Sequence, residues 1–311
     1  MVSSCQTKSL VAGILGVIES LRYSELNMKR PPAATFNIDN RSISILAFDA
    51  NEAEQNLHRQ RVNIIASGPS IADLTFAELV DTATIFVNGS ISLTAQHNFT
   101  HIVGYVISDA RFVKHQPNIL NNYYTGQPLY ATLAVLEALA ITHPSLIKKY
   151  HSAMRIIYPA GRPWAVKTNK SWFSKLLSKS LSRNRKISLS MLANQPNFVI
   201  NTQHQPAPIG LSLNVTHGFI EAGTVAYVAA QLAFSRHASE IHLYGIDLLN
   251  NDQPRFYENK DNSAPCKLDK AITDRIVPSF DLLGQTYNDH DVSVVNHSPV
   301  SKDLFNNLET N

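Results

Sequence analysis

Four short runs of small and polar residues, each directly after an apolar run, hold the side chains best suited to bind a ligand. They are Ser67-Gly68-Pro69-Ser70, Asn88-Gly89, Ser108-Asp109 and Gly245-Ile246-Asp247. A glycine lets the backbone approach a ligand closely, and a helix that begins at Ser70 would offer backbone N–H groups to a phosphate. Asn88 and Asp109 are suited to hydrogen-bond a base or a ribose. The runs lack the G-x-G-x-x-G spacing and a Walker lysine, which argues against dinucleotide and P-loop sites.

The apolar runs before these loops have the length of strands, and helical patterns lie between them. Strands are predicted at residues 44–48, 62–66, 84–87, 102–107, 154–158, 240–244 and 292–295, and helices after Ser70 and at 130–141, 222–235 and 277–287. This alternation predicts an α/β fold of Rossmann-like type, a parallel sheet with helices on both faces. Ligands bind beyond the carboxyl ends of such strands, which is where the four runs lie.

Composition sets limits on the class of protein. Of 311 residues, 44% are hydrophobic and 16% are charged, which is typical of a globular chain. The two cysteines, Cys5 and Cys266, do not suggest a disulfide scaffold, and no His/Cys/Asp cluster or D-x-D run has metal-ligand spacing. We therefore expect no obligatory metal or cofactor. The apolar patch 10–18 is too short to span a bilayer, which needs about 20 residues.

Charge is segregated along the chain. From Ala138 to Ile220 there is no Asp or Glu, and the same stretch carries many Lys and Arg residues. Within it, Trp172, Phe173, Leu176, Leu177 and Leu181 recur at helical spacing between Lys175, Lys179 and Arg183. A basic amphipathic helix of this kind suits an anionic membrane surface, and it equally suits packing on the main domain. A nucleic-acid protein is disfavoured because no binding module is recognisable.

These patterns divide the chain as follows. Residues 1–60 are predicted to be an N-terminal helix and a connector, with 24–42 in the connector because of Pro31-Pro32. Residues 61–305 are predicted to form one α/β domain. Residues 145–215 form a basic lid or membrane-docking insertion within it. Residues 306–311 are a tail.

Several of these segments resemble known families. The segment 64–70 is similar to the opening "I-I-A-G-N-G-P-S" of the bacterial sialyltransferases of glycosyltransferase family 42, and 222–247 is similar to their second nucleotide segment. Over roughly 60–305 the chain resembles lipopolysaccharide-core proteins regarded as side-branch Kdo transferases. The segments that carry this second resemblance are 86–93, 124–132 and 296–301, the last of which reads Asn-His-Ser-Pro-Val-Ser.

Both resemblances imply a CMP-activated acidic sugar as donor. By motif, Ser67, Gly68, Asn88 and Asp109 would line the cytidine side. Ala222, Gly223 and Thr224 would meet the phosphate or the sugar carboxylate. The sialyltransferases hold the departing phosphate with two tyrosines after "G-I-D". Leu249 and Arg255 stand at those positions here, with Tyr257 close by, and an arginine can bind phosphate through two parallel donors.

The general base is left open by the sequence. The region 263–270 lacks the histidine that the sialyltransferases have there. Candidate bases are His217 and Glu221, and a weaker candidate is His297, because transfer requires an acceptor hydroxyl to lose its proton. The alternative for His217, which its residue type favours, is a surface or structural histidine. The alternative for Glu221 is a carboxylate that stabilises a helix N-terminus. Asp247 is interpreted as a donor-site residue, with capping of the next turn as the alternative.

The resemblance thus implies a glycosyltransferase that moves Kdo from CMP-Kdo to the inner core of lipopolysaccharide. Two alternatives remain at this stage: a CMP-sialic acid-dependent sialyltransferase, and a non-catalytic nucleotide-binding protein of core assembly. The expected partners are a nucleotide sugar, the lipid A-core acceptor and the inner-membrane surface, without nucleic acid. The expected location is cytoplasmic, peripheral on the inner face of the inner membrane.

Overall fold

The computed structural model describes residues 30–161, 188–250, 254–258 and 269–310. Its strands are β1 (Ala33–Ile38), β2 (Arg41–Leu46), β3 (Arg61–Ile65), β4 (Ala83–Val87), β5 (Ile102–Ile107), β6 (Leu129–Ala131), β7 (Met154–Ile156), β8 (Phe198–Asn201), β9 (Ile209–Ser212), β10 (Glu240–Tyr244), β11 (Ser293–Asn296) and β12 (Glu309–Thr310). Eight of them form one sheet in the order β12-β11-β10-β3-β4-β5-β6-β7. Every neighbouring pair in it is parallel, which confirms the predicted α/β class.

Six α-helices surround this sheet in the described part of the chain. They are α1 (Ala110–His115), α2 (Pro117–Tyr123), α3 (Leu133–Thr142), α4 (Pro144–Tyr150), α5 (Val225–Ser235) and α6 (Val277–Asn288). A short turn, Asp269–Ala271, and a π-helical turn, Ile272–Ile276, lead directly into α6. The pairs β1–β2 and β8–β9 are antiparallel hairpins outside the main sheet.

The alternation of side chains along each strand creates two cores, one on each face of the sheet. Val62 and Ile64 of β3 lie in a cluster with α5 and α6, whereas Ile65 lies in a second cluster with α1 to α4. All three side chains are fully buried. Burial on both faces explains why most residues of the central strands are apolar, as is typical of parallel sheets.

Helix α5 has a direction that matters for the site. It ends at Ser235 and is followed at once by β10, which begins at Glu240, so α5 runs antiparallel to the strand. Its first residue therefore lies at the carboxyl edge of the sheet, together with the loop that precedes it. The same argument applies to α6, which leads into β11.

Several predicted boundaries are wrong. Residues 33–42 are not a connector, because β1 and β2 pair as a hairpin whose end bridges from Ala47 to Ile156. The insertion drawn at 145–215 contains β7, which is a strand of the main sheet. The tail 306–311 contains β12, which pairs with β11.

Two predicted helices also differ from the structure. No α-helix follows Ser70. The chain forms a 3-10 turn, Pro69–Asp73, capped by Gly68, because Asp247 takes up the N–H and the hydroxyl of Ser70. Tyr130 belongs to β6 rather than to a helix, and α3 begins after Thr132. The N-terminal apolar patch 10–18 and the apolar stripe between Trp172 and Leu181 lie outside the described residues.

No helix in the described residues is long and apolar enough to cross a membrane.

Candidate functional site

The order of strands reverses between β3 and β10. From β3 the chain adds β4, β5, β6 and β7 on one side, whereas β10, β11 and β12 are added on the other side. At such a reversal, α/β proteins bind ligands in a crevice outside the carboxyl ends of the strands. The loops after β3 and β10 are the runs 67–70 and 245–247 that the sequence singled out.

These two loops are fastened to each other. Asp247 accepts hydrogen bonds from the backbone N–H of Ser70 at 2.6 Å and from its hydroxyl at 2.7 Å. The N–H of Gly68 donates to the carbonyl of Gly245 at 2.9 Å. A Cβ on Gly68 would lie 2.6 Å from that carbonyl oxygen and would also collide with the Asp247 carboxylate. The close contact therefore requires glycine at position 68, and the buried Asp247 acts as a brace between the loops.

Asn88 presents an unusual polar group at the end of β4. Its backbone has a φ of +50°, and its carbonyl accepts a hydrogen bond from the buried Tyr105 hydroxyl at 2.8 Å. The side-chain Oδ1 of Asn88 is buried without a hydrogen-bond partner among the described residues. A buried acceptor without a partner is costly in free energy, so this oxygen is a strong candidate for a ligand contact.

The segment 254–258 lies over the loops after β3 and β4. The ring of Tyr257 packs so closely on Gly89 that a Cβ there would overlap it. The Tyr257 hydroxyl hydrogen-bonds with Ser67 and Arg255, and burial raises its pKa to about 12. Arg255 also forms a 2.7 Å ion pair with the carboxylate of Glu258. The structure thus brings Arg255 and Tyr257 to the same edge as Ser67.

A cation that sequence reasoning missed lies over the loop before α5. It is Arg275, from the turn that leads into α6. Gly223 has a φ of +99°, and Arg275 lies over it, with one terminal nitrogen 2.7 Å from where a Cβ would stand. Thr224 caps α5 by accepting from the N–H of Ala226 at 3.4 Å. Arg275 forms no salt bridge within the described ranges. The topology gives the signal that would have found it, since the start of the last long helix must lie at the carboxyl edge.

Two further sequence candidates, Asp109 and His217, belong to segments next to β5 and β7. Asp109 caps α1 by accepting from the N–H of Arg111 at 2.9 Å and forms an ion pair with the same arginine. His217 lies beside β7. The N–H of Phe219 donates to the carbonyl of Tyr158, which comes just after that strand, and the hydroxyl of Thr216 accepts from the N–H of Ala50. Because β7 is four strands from β3, these two strands are about 19 Å apart at the usual spacing of strands.

The remaining candidates are placed as follows. Glu221 and the buried Ala222 directly precede Gly223 and so share its loop. Pro69 begins the 3-10 turn after Gly68. The described residues contain no group of three His, Cys, Asp or Glu side chains placed to hold a metal ion.

His297 belongs to a cluster on the face of the sheet. Its Nε2 is joined to Nδ1 of His242 by a 2.7 Å hydrogen bond, and its ring stacks on Tyr244 at 4.4 Å between centroids. Arg61 donates to the Tyr244 hydroxyl at 3.3 Å, and Glu240 lies 3.3 Å from the other nitrogen of His242. One nitrogen and one face of the His297 imidazole are thus engaged, which speaks against its weaker candidacy as a base.

This cluster predicts acid sensitivity. Burial, His242 and Arg61 lower the pKa of His297 to about 4, and burial and Arg61 lower the pKa of His242. A histidine in an unfolded chain titrates near about 6.5, so below that pH the unfolded state binds more protons than the native state. The free energy of unfolding should therefore fall as the pH falls from 7 towards 4. Urea titrations at pH 7.5, 6 and 5 measure it, and His297→Phe should flatten the slope. Equal slopes for both proteins would contradict this assignment.

A parallel sheet whose strand order reverses is a doubly wound α/β fold, which binds ligands at the reversal. The comparison with known families specifies the class further. The family model for 3-deoxy-D-manno-octulosonic acid transferase WaaZ matches residues 48–310. Because this match covers most of the chain, the protein belongs to that family of Kdo transferases. It is therefore a glycosyltransferase, with CMP-Kdo as the implied donor and the lipopolysaccharide core as the implied acceptor.

Two individual proteins are similar to the chain. A probable 3-deoxy-manno-octulosonic acid transferase of Salmonella typhimurium is 23% identical over 227 residues, which is 73% of this chain and 78% of that relative. The solved structure of the sialyltransferase CstII from Campylobacter jejuni aligns with 81% of this chain and 85% of its own, at 13% identity and a TM-score of 0.41. The family match confirms the predicted resemblance to Kdo transferases and supports Kdo over sialic acid as the sugar.

Proposed function

We propose that the crevice between β3 and β10 binds the cytidine nucleotide of CMP-Kdo and that Kdo is transferred from it to the lipopolysaccharide inner core. The observation that carries this assignment is the braced pair of loops, with the unpartnered Oδ1 of Asn88 beside them. Cytosine carries an exocyclic amino group that donates hydrogen bonds, and Asn88 offers an acceptor for it. Ser67 and Gly68 line the nucleotide side, while Ser70 and Asp247 hold the loop in place.

The acidic end of the donor is assigned to the loop before α5. CMP-Kdo carries a phosphate and a sugar carboxylate, and both favour a helix N-terminus and an arginine. Gly223 and Thr224 lie at the helix N-terminus, and Arg275 is the arginine. Ala222 is buried beneath them and supports the loop.

The leaving phosphate is assigned to Arg255 and Tyr257. Charge develops on the phosphate as the bond to Kdo breaks, and preorganised donors stabilise it. The raised pKa of Tyr257 keeps its hydroxyl protonated as a donor. Glu221 is our candidate for the base that accepts the proton of the acceptor hydroxyl, because it directly precedes the Gly223 loop, whereas His217 lies near β7. No cofactor beyond the donor substrate is part of this mechanism.

Cytidine-nucleotide binding is tested by thermal unfolding. A ligand that binds only the native state adds about 2.7 kcal/mol to the free energy of unfolding at a hundred times its Kd. CMP should therefore raise the melting temperature more than AMP or UMP does at equal concentration. Asn88→Ala should reduce the advantage of CMP over UMP, since the two bases differ at the exocyclic group. A wild-type protein that responds equally to all three nucleotides, or not to CMP, would contradict the site.

We also propose that the protein works at the cytoplasmic face of the inner membrane, held by its basic middle segment. The support is the acid-free stretch from Ala138 to Ile220 and an implied acceptor that is a lipid. Each Lys or Arg near an anionic membrane contributes about 1 kcal/mol to binding. Co-sedimentation should therefore favour anionic over neutral vesicles and should weaken with salt. It should also decrease when Lys175, Lys179 and Arg183 are changed to Gln.

The matched control for that experiment removes the same charge elsewhere. Lys114, Lys270 and Lys302 are exposed residues outside the acid-free stretch, and changing them to Gln should affect sedimentation less. If the two triple variants behave alike, net charge alone explains the binding. If vesicle charge has no effect on the wild type, the membrane proposal is wrong.

A further inference from the structure

The run Asn296–Ser301 ends β11 and binds the loop after β10 through side chains. The hydroxyl of Ser298 accepts a hydrogen bond from the N–H of Ile246 at 2.6 Å, and the hydroxyl of Ser301 donates to the carbonyl of Ile246. Asn296 organises both serines, since its Oδ1 accepts from the N–H of Ser298 at 3.1 Å and its Nδ2 donates to the carbonyl of Ser301 at 3.4 Å. Each of these three polar side chains is at most 1% exposed.

We infer that Ser298 and Ser301 are positioning residues for the transfer reaction, acting through Ile246 on Asp247 and so on the loop at Ser70. This inference rests on the proposed function, in which that loop binds the donor nucleotide. We call the two serine hydroxyls and the two peptide groups of Ile246 the serine clamp. Within the described residues, the clamp hydroxyls form no hydrogen bond with the loop at 67–70, and the effect is transmitted by the Asp247 carboxylate.

The geometry explains why the clamp reaches the site. Ile246 stands between Gly245, whose carbonyl binds Gly68, and Asp247, whose two oxygens bind Ser70. Both peptide groups beside Ile246 are therefore fixed by the clamp within one residue of the contacts that brace the loops. A shift of Ile246 must move Gly245 or Asp247, and with them the turn from Gly68 to Ser70.

The clamp is also costly to remove. A buried N–H that loses its acceptor is left unpaired, and this costs about 1–3 kcal/mol. The backbone can avoid that cost by turning the Ile246 peptide towards another partner. The expected consequence of Ser298→Ala or Ser301→Ala is therefore a displaced Asp247 and a loosened donor loop, in addition to lower stability.

The experiment measures CMP affinity and steady-state kinetics with CMP-Kdo in the full-length chain. Ser298→Ala and Ser301→Ala should each raise the Kd for CMP and the KM for CMP-Kdo by about tenfold, the effect of about 1.4 kcal/mol. Ser301→Cys, which keeps a weak donor, should fall between wild type and Ser301→Ala and guards against a variant that does not fold.

The matched control is Ser235→Ala. Ser235 is also a buried serine whose hydroxyl makes two hydrogen bonds, accepting from Val215 N–H at 2.8 Å and donating to the Gln231 carbonyl at 2.7 Å. It lies at the end of α5 far from the crevice. Its loss should lower the melting temperature to a similar degree and leave the Kd for CMP unchanged.

A double-mutant comparison decides how the clamp acts. If it works through Asp247, then Ser301→Ala should have little further effect on CMP affinity in an Asp247→Asn background. Additive losses, or clamp variants that bind CMP as tightly as Ser235→Ala does, would overturn the inference while leaving the nucleotide site intact. Failure of the wild-type protein to bind CMP would instead overturn the proposed function.

Discussion

Changing Arg275 to alanine is expected to lower kcat/KM for CMP-Kdo by about a hundredfold, the scale found when one donor to a developing charge is removed. The guanidinium lies over Gly223 at the start of α5 and has no salt bridge within the described ranges. A charged side chain held at a helix N-terminus, where anions bind, suits the phosphate or carboxylate of the donor. Because Arg275 is exposed, its removal should leave the melting temperature nearly unchanged.

Two variants make this prediction specific. Arg275→Lys keeps the charge but loses the planar pair of donors, so it should recover only part of the activity. Arg41→Ala removes an exposed arginine from the β1–β2 hairpin and should keep wild-type kinetics. If Arg275→Ala retains normal kcat/KM for CMP-Kdo, the acidic end of the donor is bound elsewhere.

The sequence was sufficient to predict the parallel sheet and the edge at which the site lies. Strands such as β4 and β5 are largely apolar because both of their faces are buried, so their position is encoded locally. Polar runs such as 67–70 and 245–247 interrupt this pattern at the strand ends. Their common edge then follows from parallel pairing, without knowledge of any tertiary contact.

Other features depend on contacts between distant parts of the chain. Ser70 has the type and place of a helix N-cap, but Asp247, far along the chain, binds its N–H and hydroxyl and a 3-10 turn results. Tyr130 fits a helical pattern, yet pairing with Val106 and Arg155 makes it part of a strand. Local propensity is a weak prior that tertiary contacts override.

The residues of the candidate site also divide into those that the sequence could suggest and those that only tertiary contacts place. Asn88, Gly68 and Asp247 could be proposed from the sequence because each lies in a polar run that follows a strand. Arg275 does not follow a strand, and its position over Gly223 depends on how α5 and α6 pack together. His217 was a candidate by residue type, and only the pairing of residues beside β7 shows that it lies away from the loops.

Changing Gly68 to alanine is expected to abolish CMP protection and to lower kcat/KM for CMP-Kdo by at least about a hundredfold, because displacements of about 1 Å in an active site have effects of that size. The added Cβ would stand 2.6 Å from the carbonyl oxygen of Gly245, and it would also meet the Asp247 carboxylate. The carbonyl is backbone, so the collision is not relieved by rotation of a side chain. The two loops must therefore move apart.

The matched control for Gly68→Ala is Gly104→Ala in β5. A Cβ on Gly104 would lie 3.2 Å from a side-chain carbon of Ile85 and 3.4 Å from the ring of Tyr130, both of which are side-chain atoms. This variant should lower stability modestly and keep its affinity for CMP, because no crevice loop contacts Gly104. Thermal shifts with CMP and kinetics with CMP-Kdo measure both variants. If Gly68→Ala binds CMP as Gly104→Ala does, the close contact between the loops after β3 and β10 does not form the donor site.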